Sequence, residues 1–398
     1  MPATRRTSSP LQLLPGIALS VLVMFTGFWL ADVLGRALMA AQGLNAGSPI
    51  SGVPIAIIIG LLLRNVVPLP ALLTPGVHFC LKTILRLGIV LVGIRLSAFD
   101  VMRLGAAGVP VVLAAIVTGL VFVTWFNDRL GLPPRLGTLI AAGTSICGVT
   151  AIVSTAPAIK ADEREVAYAV ANIVAFGLFG MLTYPYLAHA FLTHSETIGL
   201  FLGTAVHDTS QVVGAALTYR QMYADDIVLS VATVTKLTRN LFLGAVIPYL
   251  TWRHVRATHT ATTMERRLPW TTYVPGFVIG FLGMAVLRTI GDAGVRASGE
   301  AFGTIIGALS SLGSLFAERP YAWHLYAGDW SRIASQLGDY WASRIFLGSA
   351  MAAVGLNTSF GVFKGVGAKP FAVGLAGALV VGAVGMLMAV LLGRYVTL

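Results

Sequence analysis

"AVHDTSQVVGAA" (residues 205–216) interrupts a run, Ile198 to Leu217, that otherwise has the composition of a membrane-spanning helix. His207 and Asp208 stand side by side there, followed at once by Thr209, Ser210 and Gln211. An ionisable group at bilayer depth costs roughly 2.5–3.5 kcal/mol on insertion scales, so it needs a partner or a wet cavity. The rest of the chain has to supply one or the other.

The surrounding chain is a membrane protein by composition. It has 398 residues, 56% of them hydrophobic and 11% charged, with a mean hydropathy of +0.82. Water-soluble domains carry about 25% charged residues, and a chain this poor in charge cannot cover a water-facing surface. The net charge of +11 does not point to nucleic acid. The basic residues sit at segment ends (Arg5, Arg6, Arg64, Arg129, Arg135, Arg253, Arg256, Arg266, Arg267), which is the pattern of positive-inside topology. Cys80 and Cys147 both lie in apolar segments and imply no disulfide framework. The N-terminal MPATRRTSSP lacks a small-residue cleavage site after the apolar run that follows, so that run reads as a retained first span.

Windows apolar enough to span roughly 30 Å fall near 11–31, 50–64, 80–97, 105–126, 137–159, 166–192, 197–219, 227–251, 271–288, 343–359 and 371–393, about eleven in all. The expected fold is an all-α polytopic membrane protein: a cytoplasmic tail over 1–10, then a single transmembrane domain over 11–398. Its halves run approximately 45–192 and 197–398, with an interfacial insertion at 290–342. The basic linker 252–269 and the N-terminus share one side, and Asp100, Asp162, Glu163, Glu165, Asp225 and Asp226 gather on the other. Within the insertion, the short apolar run 301–316 precedes Tyr321, Trp323, Tyr326, Trp330, Tyr340 and Trp341, residues suited to a membrane–water interface. Two weak internal echoes suggest repeats. VGIRLSAFDVMRLGA (92–106) matches VGLNTSFGVFKGVGA (354–368), and a TS…G…A…PYL pattern recurs from Thr144 to Leu187 and from Thr209 to Leu250. The echoes do not reduce to one simple pairing.

Three segments hold groups able to act on a solute. In AAGTSICGVTAIVSTAPAI (141–159), Gly143 and Gly148 flank Thr144, Ser145 and Cys147. Glycine and the later Pro157 let the backbone open, and a freed helix N-terminus favours an anion. The plainer alternative is close packing through small residues. In 204–214, helical spacing puts Thr204, His207, Asp208 and Gln211 near one another, with Ser210 close by. Protonation of His207 or Asp208 offers a route to proton coupling, and a structural His–Asp lock is the alternative. In TVTKLTRNLF (233–242), Lys236, Arg239 and Asn240 share a face about two turns from either end. Two fixed cations suit an oxyanion; snorkelling is the alternative. Lys82 and Arg86 read as topology determinants near a helix end, and Arg95 is ambiguous. No metal-ligand spacing or phosphate loop stands out, and no cofactor or metal is expected.

LRLGIVLVGIRLS (85–97), the stretch 139–171, GTAVHDTSQVV (203–213), VTKLTRNLFL (234–243) and AMAAVGLNTS (350–359) resemble the YeiH-like sulfate exporter family of bacterial inner-membrane proteins, from about Pro15 to Gly393. That resemblance implies kinship with secondary transporters of the bile-acid-symporter and cation/proton-antiporter type. It implies two inverted five-helix repeats behind one leading helix, and crossing broken helices. The implied solute is sulfate or a related sulfur oxyanion or sulfonate. The positions it marks are Gly143–Gly148 and His207–Gln211, with Lys236 and Arg239. The family's usual connector is shorter than the stretch at about 300–340.

The expected activity is secondary active transport of a small anion, exporting and proton-coupled. Gly143, Thr144, Ser145, Cys147, Gly148, Thr209, Ser210, Gln211, Lys236 and Arg239 would serve the solute, and His207 and Asp208 the coupling. An anion channel and a sodium-coupled organic-anion symporter are the alternatives. An intramembrane hydrolase built on Ser145, His207 and Asp208 is disfavoured, because adjacent residues on one helix point about 100° apart. The expected partners are the bilayer, the anion and a coupling proton or sodium ion, with a homodimer left open and no nucleic acid.

Overall fold

The computed structural model describes residues 10–41, 50–258, 276–298, 330–363 and 367–395, and among them every regular element is a helix. The run 301–316 and the aromatic residues up to Tyr326 lie outside the described residues. Among the described residues, six helices are long and apolar enough to cross a membrane: α1 (Pro10–Ala41), α3 (Ala71–Arg95), α4 (Ala98–Arg129), α7 (Glu163–Phe191), α12 (Gly276–Ser298) and α14 (Ala368–Leu392). A seventh span is the pair α10 (Asp226–Leu241) and α11 (Leu243–Thr258), bent by 41°. The shorter α2 covers Gly52–Val66. Trp330–Ser335, the π-helical Gln336–Leu347 and Gly348–Asn357 follow end to end and together form α13.

Local chemistry explains several boundaries. Ser97 with Asp100, and Asp162 with Glu165, form reciprocal capping boxes that start α4 and α7. Helix α3 begins at Ala71, well before the apolar window at residue 80. Pro75 lies in its first turn, where a missing N–H costs nothing.

The two interrupted segments do not cross; each turns back. Helix α8 (Ser195–Ala205) leaves the end of α7 and runs antiparallel to it, so that Phe201 meets Tyr184. After the break, α9 (Thr209–Tyr223) runs parallel to α7: Gln211 donates to Val174 O, Gly214 packs on Met181, and His189 stacks on Tyr223. Likewise α5 (Pro134–Ser145) enters beside the end of α4, and α6 (Val149–Thr155) folds back so that Ile152 packs on Gly143. The expectation of broken helices that cross is therefore corrected to two re-entrant hairpins, entering from opposite faces. The sidedness of the acids changes with it. Helix α7 starts on the face where α4 ends and α14 begins, the face on which Lys369 reaches Leu130 O. Asp162, Glu163 and Glu165 thus share this face (here the near face) with Arg129 and Arg135, while Asp226 lies with Arg95 on the far face.

The largest buried cluster joins helices from α2 to α14 around Ile57, Met181, Leu200, Ala215 and Leu229, and two smaller clusters flank it. Helices α1, α2 and α13 and the first half of α3 share one cluster around Met24, Ala56, Cys80 and Ala352. Helices α4 to α7, α11 and α14 share another around Val123, Ile140, Ile152 and Leu243. Close backbone approach tightens the first group: a methyl on Gly355 would stand 2.2 Å from Ile57 O. Large apolar side chains such as Leu22, Trp29, Phe179 and Leu387 are exposed on the outside, as a lipid-facing surface requires.

Candidate functional site

The hairpin tips meet in the middle of the molecule, and α10 supplies what holds them there. Helices α5 and α8 end at the tips, where the last turn of a helix leaves carbonyls unpaired. Lys236 and Arg239, one turn apart on α10 and both fully buried, donate into these carbonyls. Lys236 Nζ bonds Ile146 O (2.9 Å), Val206 O (3.4 Å) and His207 O. Arg239 bonds Ser145 O through Nε (2.7 Å), Thr204 O (2.7 Å) and Val206 O (3.3 Å) through Nη1, and Thr144 O through Nη2. Cations at helix C-termini are favoured by the dipole, and each orphaned carbonyl would otherwise cost about 1–3 kcal/mol.

The second half of each hairpin begins at the same place. Gly148 precedes α6 with φ +71°, and Asp208 precedes α9. Asp208 Oδ1 accepts from Ser210 N (2.9 Å) and Ser210 Oγ (2.7 Å), while Gln211 Oε1 accepts from Asp208 N (3.2 Å). His207, Asp208 and Gln211 therefore do not share one continuous helical face; Asp208 and Gln211 form a capping box across the break.

A cavity of about 430 Å³ opens beside the tips. Its core wall carries Cys147, Thr150, Asp208, Thr209, Ser210, Gln211 and Asn240. The facing wall comes from α3, α12 and α13, with Lys82, Arg86, Phe277 and Asn357 among its residues. Asn240 is 4% exposed; its amide nitrogen donates weakly to Thr209 Oγ1 (3.4 Å) and its Oδ1 has no partner. Lys82 and Arg86 are exposed at the wall, Arg86 lying 5.9 Å over the Phe277 ring. The capped start of α9, a buried amide with an unused oxygen and two exposed cations opposite thus face one cavity.

The residues singled out from sequence divide accordingly. Cys147, Asp208, Thr209, Ser210 and Gln211 line the cavity. Gly143, Thr144, Ser145, His207, Lys236 and Arg239 lie behind the tips, where Gly143 packs on Ile173 and Ile152. Gly148 joins the two tips by contact with Asp208. Lys82 and Arg86, which read as topology determinants, are central instead, because α3 begins nine residues before the window used to judge their depth. Their i, i+4 spacing within an apolar run was the available signal. Among the described residues, no group of His, Cys, Asp or Glu is arranged to hold a metal ion.

Comparison with known proteins adds a family. The family model described as conserved hypothetical protein 698 matches residues 15–317. A UPF0324 membrane protein of Agrobacterium fabrum is 33% identical over 237 residues, covering 60% of this chain and 65% of that relative. One of Streptococcus pneumoniae is 33% identical over 232 residues, 58% of this chain and 69% of the relative. Another, of Streptococcus pyogenes, is 29% identical over 353 residues, 88% of this chain and 89% of the relative. The first of these matches thus spans just under two thirds of its relative, whereas the last runs nearly end to end.

Proposed function

Since the chain belongs to the UPF0324 family of multi-pass membrane proteins, we propose that it is a secondary active transporter of a small anion. The observation that carries this reading is the cavity at the meeting point of two re-entrant hairpins, with Thr209, Ser210, Gln211 and Asn240 on one wall and Lys82 and Arg86 on the other. Lys236, Arg239 and Asp208 leave the tips with a formal excess of positive charge, which an anion would offset.

The far face supports a carrier rather than a channel. Arg95 pairs with Asp226 (2.8 Å) and Asp339 (3.4 Å), and Arg220 pairs with Asp339 (2.8 Å) and Asp226. These four side chains tie α9 and α10 to α3 and α13, and Arg220, Asp226 and Asp339 also line a cavity of about 650 Å³ on that face. Release of this network, with rearrangement of the tips, would give the alternate state. The near face carries Arg129, Arg135, Lys160, Arg253 and Arg256, so it is the cytoplasmic one, and the cavity loads from inside for export.

The hairpins also support inverted repeats, joined in a permuted order. In this reading α2, α3, α4, hairpin α5–α6 and α7 correspond to α12, α13, α14, hairpin α8–α9 and the α10–α11 pair. The first echo, 92–106 with 354–368, follows this pairing, while the second sets the end of α5 at Thr144 against the start of α9 at Thr209, one hairpin arm out of step. The turn Gly393–Tyr395 after α14 lies beside the start of α8, with Gly393 against Thr197, as α4 lies beside α5.

Sulfate, sulfite and sulfonates are the solutes to try first, with protons moving through His207 or Asp208. A hydrolase is disfavoured further, since Asp208 bonds Ser210 and the Ser145 hydroxyl has no partner. The test is thermal stabilisation of the purified protein by sulfate, sulfite, sulfonates and carboxylates, followed by flux of any binder in proteoliposomes under a proton gradient. A ligand that binds only the folded state raises its stability with concentration. If none of these anions stabilises the protein or moves, the reading is wrong.

A further inference from the structure

The carbonyl cage between the hairpin tips lies behind the cavity, and Ile146, Val206, His207 and Lys236 are not among its lining residues. Ile146 O comes from one re-entrant hairpin, Val206 O and His207 O from the other, and all three converge on a single buried Nζ. In carriers with interrupted helices, unwound carbonyls and half-helix C-terminal ends are the groups that hold a coupling sodium ion. Here α10 delivers a tethered ammonium to that position. Arg239 takes the adjacent carbonyls of Thr144, Ser145 and Thr204, so both tips are served by cations that cannot leave.

We propose that Lys236 is a built-in replacement for a coupling cation: it occupies the carbonyl site a monovalent metal ion would use, and the protein works without sodium. The charge stays in the core throughout the cycle, so no cation gradient can be spent there. That consequence for the transport cycle rests on the transport reading; the occupied cage does not.

The test uses the full chain in detergent, with sodium, potassium, methylammonium or N-methylglucamine as gluconate salts at equal ionic strength. The wild-type melting midpoint is expected to be the same in all four. Lys236→Ala is expected to melt lower, and to regain stability as sodium, potassium or methylammonium is raised but not with N-methylglucamine. Recovery of the variant only when purified in one of the three small cations counts as the same rescue. Sodium-specific stabilisation of the wild type overturns the proposal, as does a folded Lys236→Ala that ignores every cation. If Lys236→Ala is recovered in no salt, the wild-type comparison of sodium with N-methylglucamine decides alone. No transported anion enters these measurements, so failure of the anion reading leaves them interpretable.

Discussion

Gly148 and Asp208 touch across the two hairpin tips: a methyl group on Gly148 would stand 2.9 Å from Asp208 Oδ2 and 3.1 Å from Asp208 Cα. The glycine's φ of +71° and ψ of −128° belong to a region closed to residues with a Cβ. The contact makes the separation of the tips depend on one missing side chain.

Gly148→Ala is therefore expected to destabilise the fold by about 1–3 kcal/mol from backbone strain alone. Gly148→Leu should also force the tips apart and abolish anion binding. Thermal unfolding and calorimetry on both variants check this. Undiminished binding by Gly148→Leu would mean that the tips tolerate separation.

Asp208 has two separable duties, an N-cap and a candidate proton carrier. Asp208→Asn keeps an acceptor for Ser210 and should leave the melting midpoint nearly unchanged, whereas Asp208→Ala should cost about 1 kcal/mol. If the carboxyl also carries the proton, Asp208→Asn flattens the pH dependence of flux. An unaltered pH profile in that variant, and in His207→Gln, assigns coupling elsewhere.

Lys82 and Arg86 face the cavity from solvent-accessible positions, so each should act weakly and through charge. Lys82→Gln and Arg86→Gln are each expected to lower anion affinity severalfold, less than about 1 kcal/mol apiece. The difference from wild type should shrink as salt rises. Calorimetry at two ionic strengths measures both effects, and equal affinities at low salt would remove these residues from the site.

Cys147 reports which face is open. In a Cys80→Ser background it is the sole thiol of the chain, and it lines the near-face cavity. Asp226→Asn together with Asp339→Asn removes both acids of the far-face network. Labelling of Cys147 by an impermeant maleimide from the near face should slow as the population shifts toward the other state. Faster or unchanged labelling would show that the network does not hold the far face shut.

Much of this architecture was legible in the sequence, but not the turn-backs. The apolar windows located most helices, but His207 to Gln211 read as one polar helical face, whereas the helix breaks there. Asp208-x-x-Gln211 is also a capping-box signature, which says that a helix starts there rather than continues. The direction taken after each break was not readable. It is fixed by distant contacts, Gln211 with Val174 and Gly143 with Ile152, and a returning hairpin has the same length and hydropathy as one span. Lys236 and Arg239 stood out correctly as deep cations. Their acceptors were invisible, because backbone carbonyls carry no signature in the sequence.

The position of α14 has a consequence for biosynthesis. It packs between α4 and α8: a methyl on Gly377 would lie 2.7 Å from Val123, and one on Gly385 would lie 2.8 Å from Thr204 Oγ1. Helix α8, with buried Thr197 and Thr204, is made long before this neighbour leaves the ribosome. Thr204 Oγ1 bonds Leu200 O within α8 itself, so what the hairpin lacks until then is the packing partner of its close-contact face. The nascent core must therefore wait, incomplete, until α14 arrives. A chain stopped before residue 368 presents that unfinished seam to the membrane's quality-control proteases.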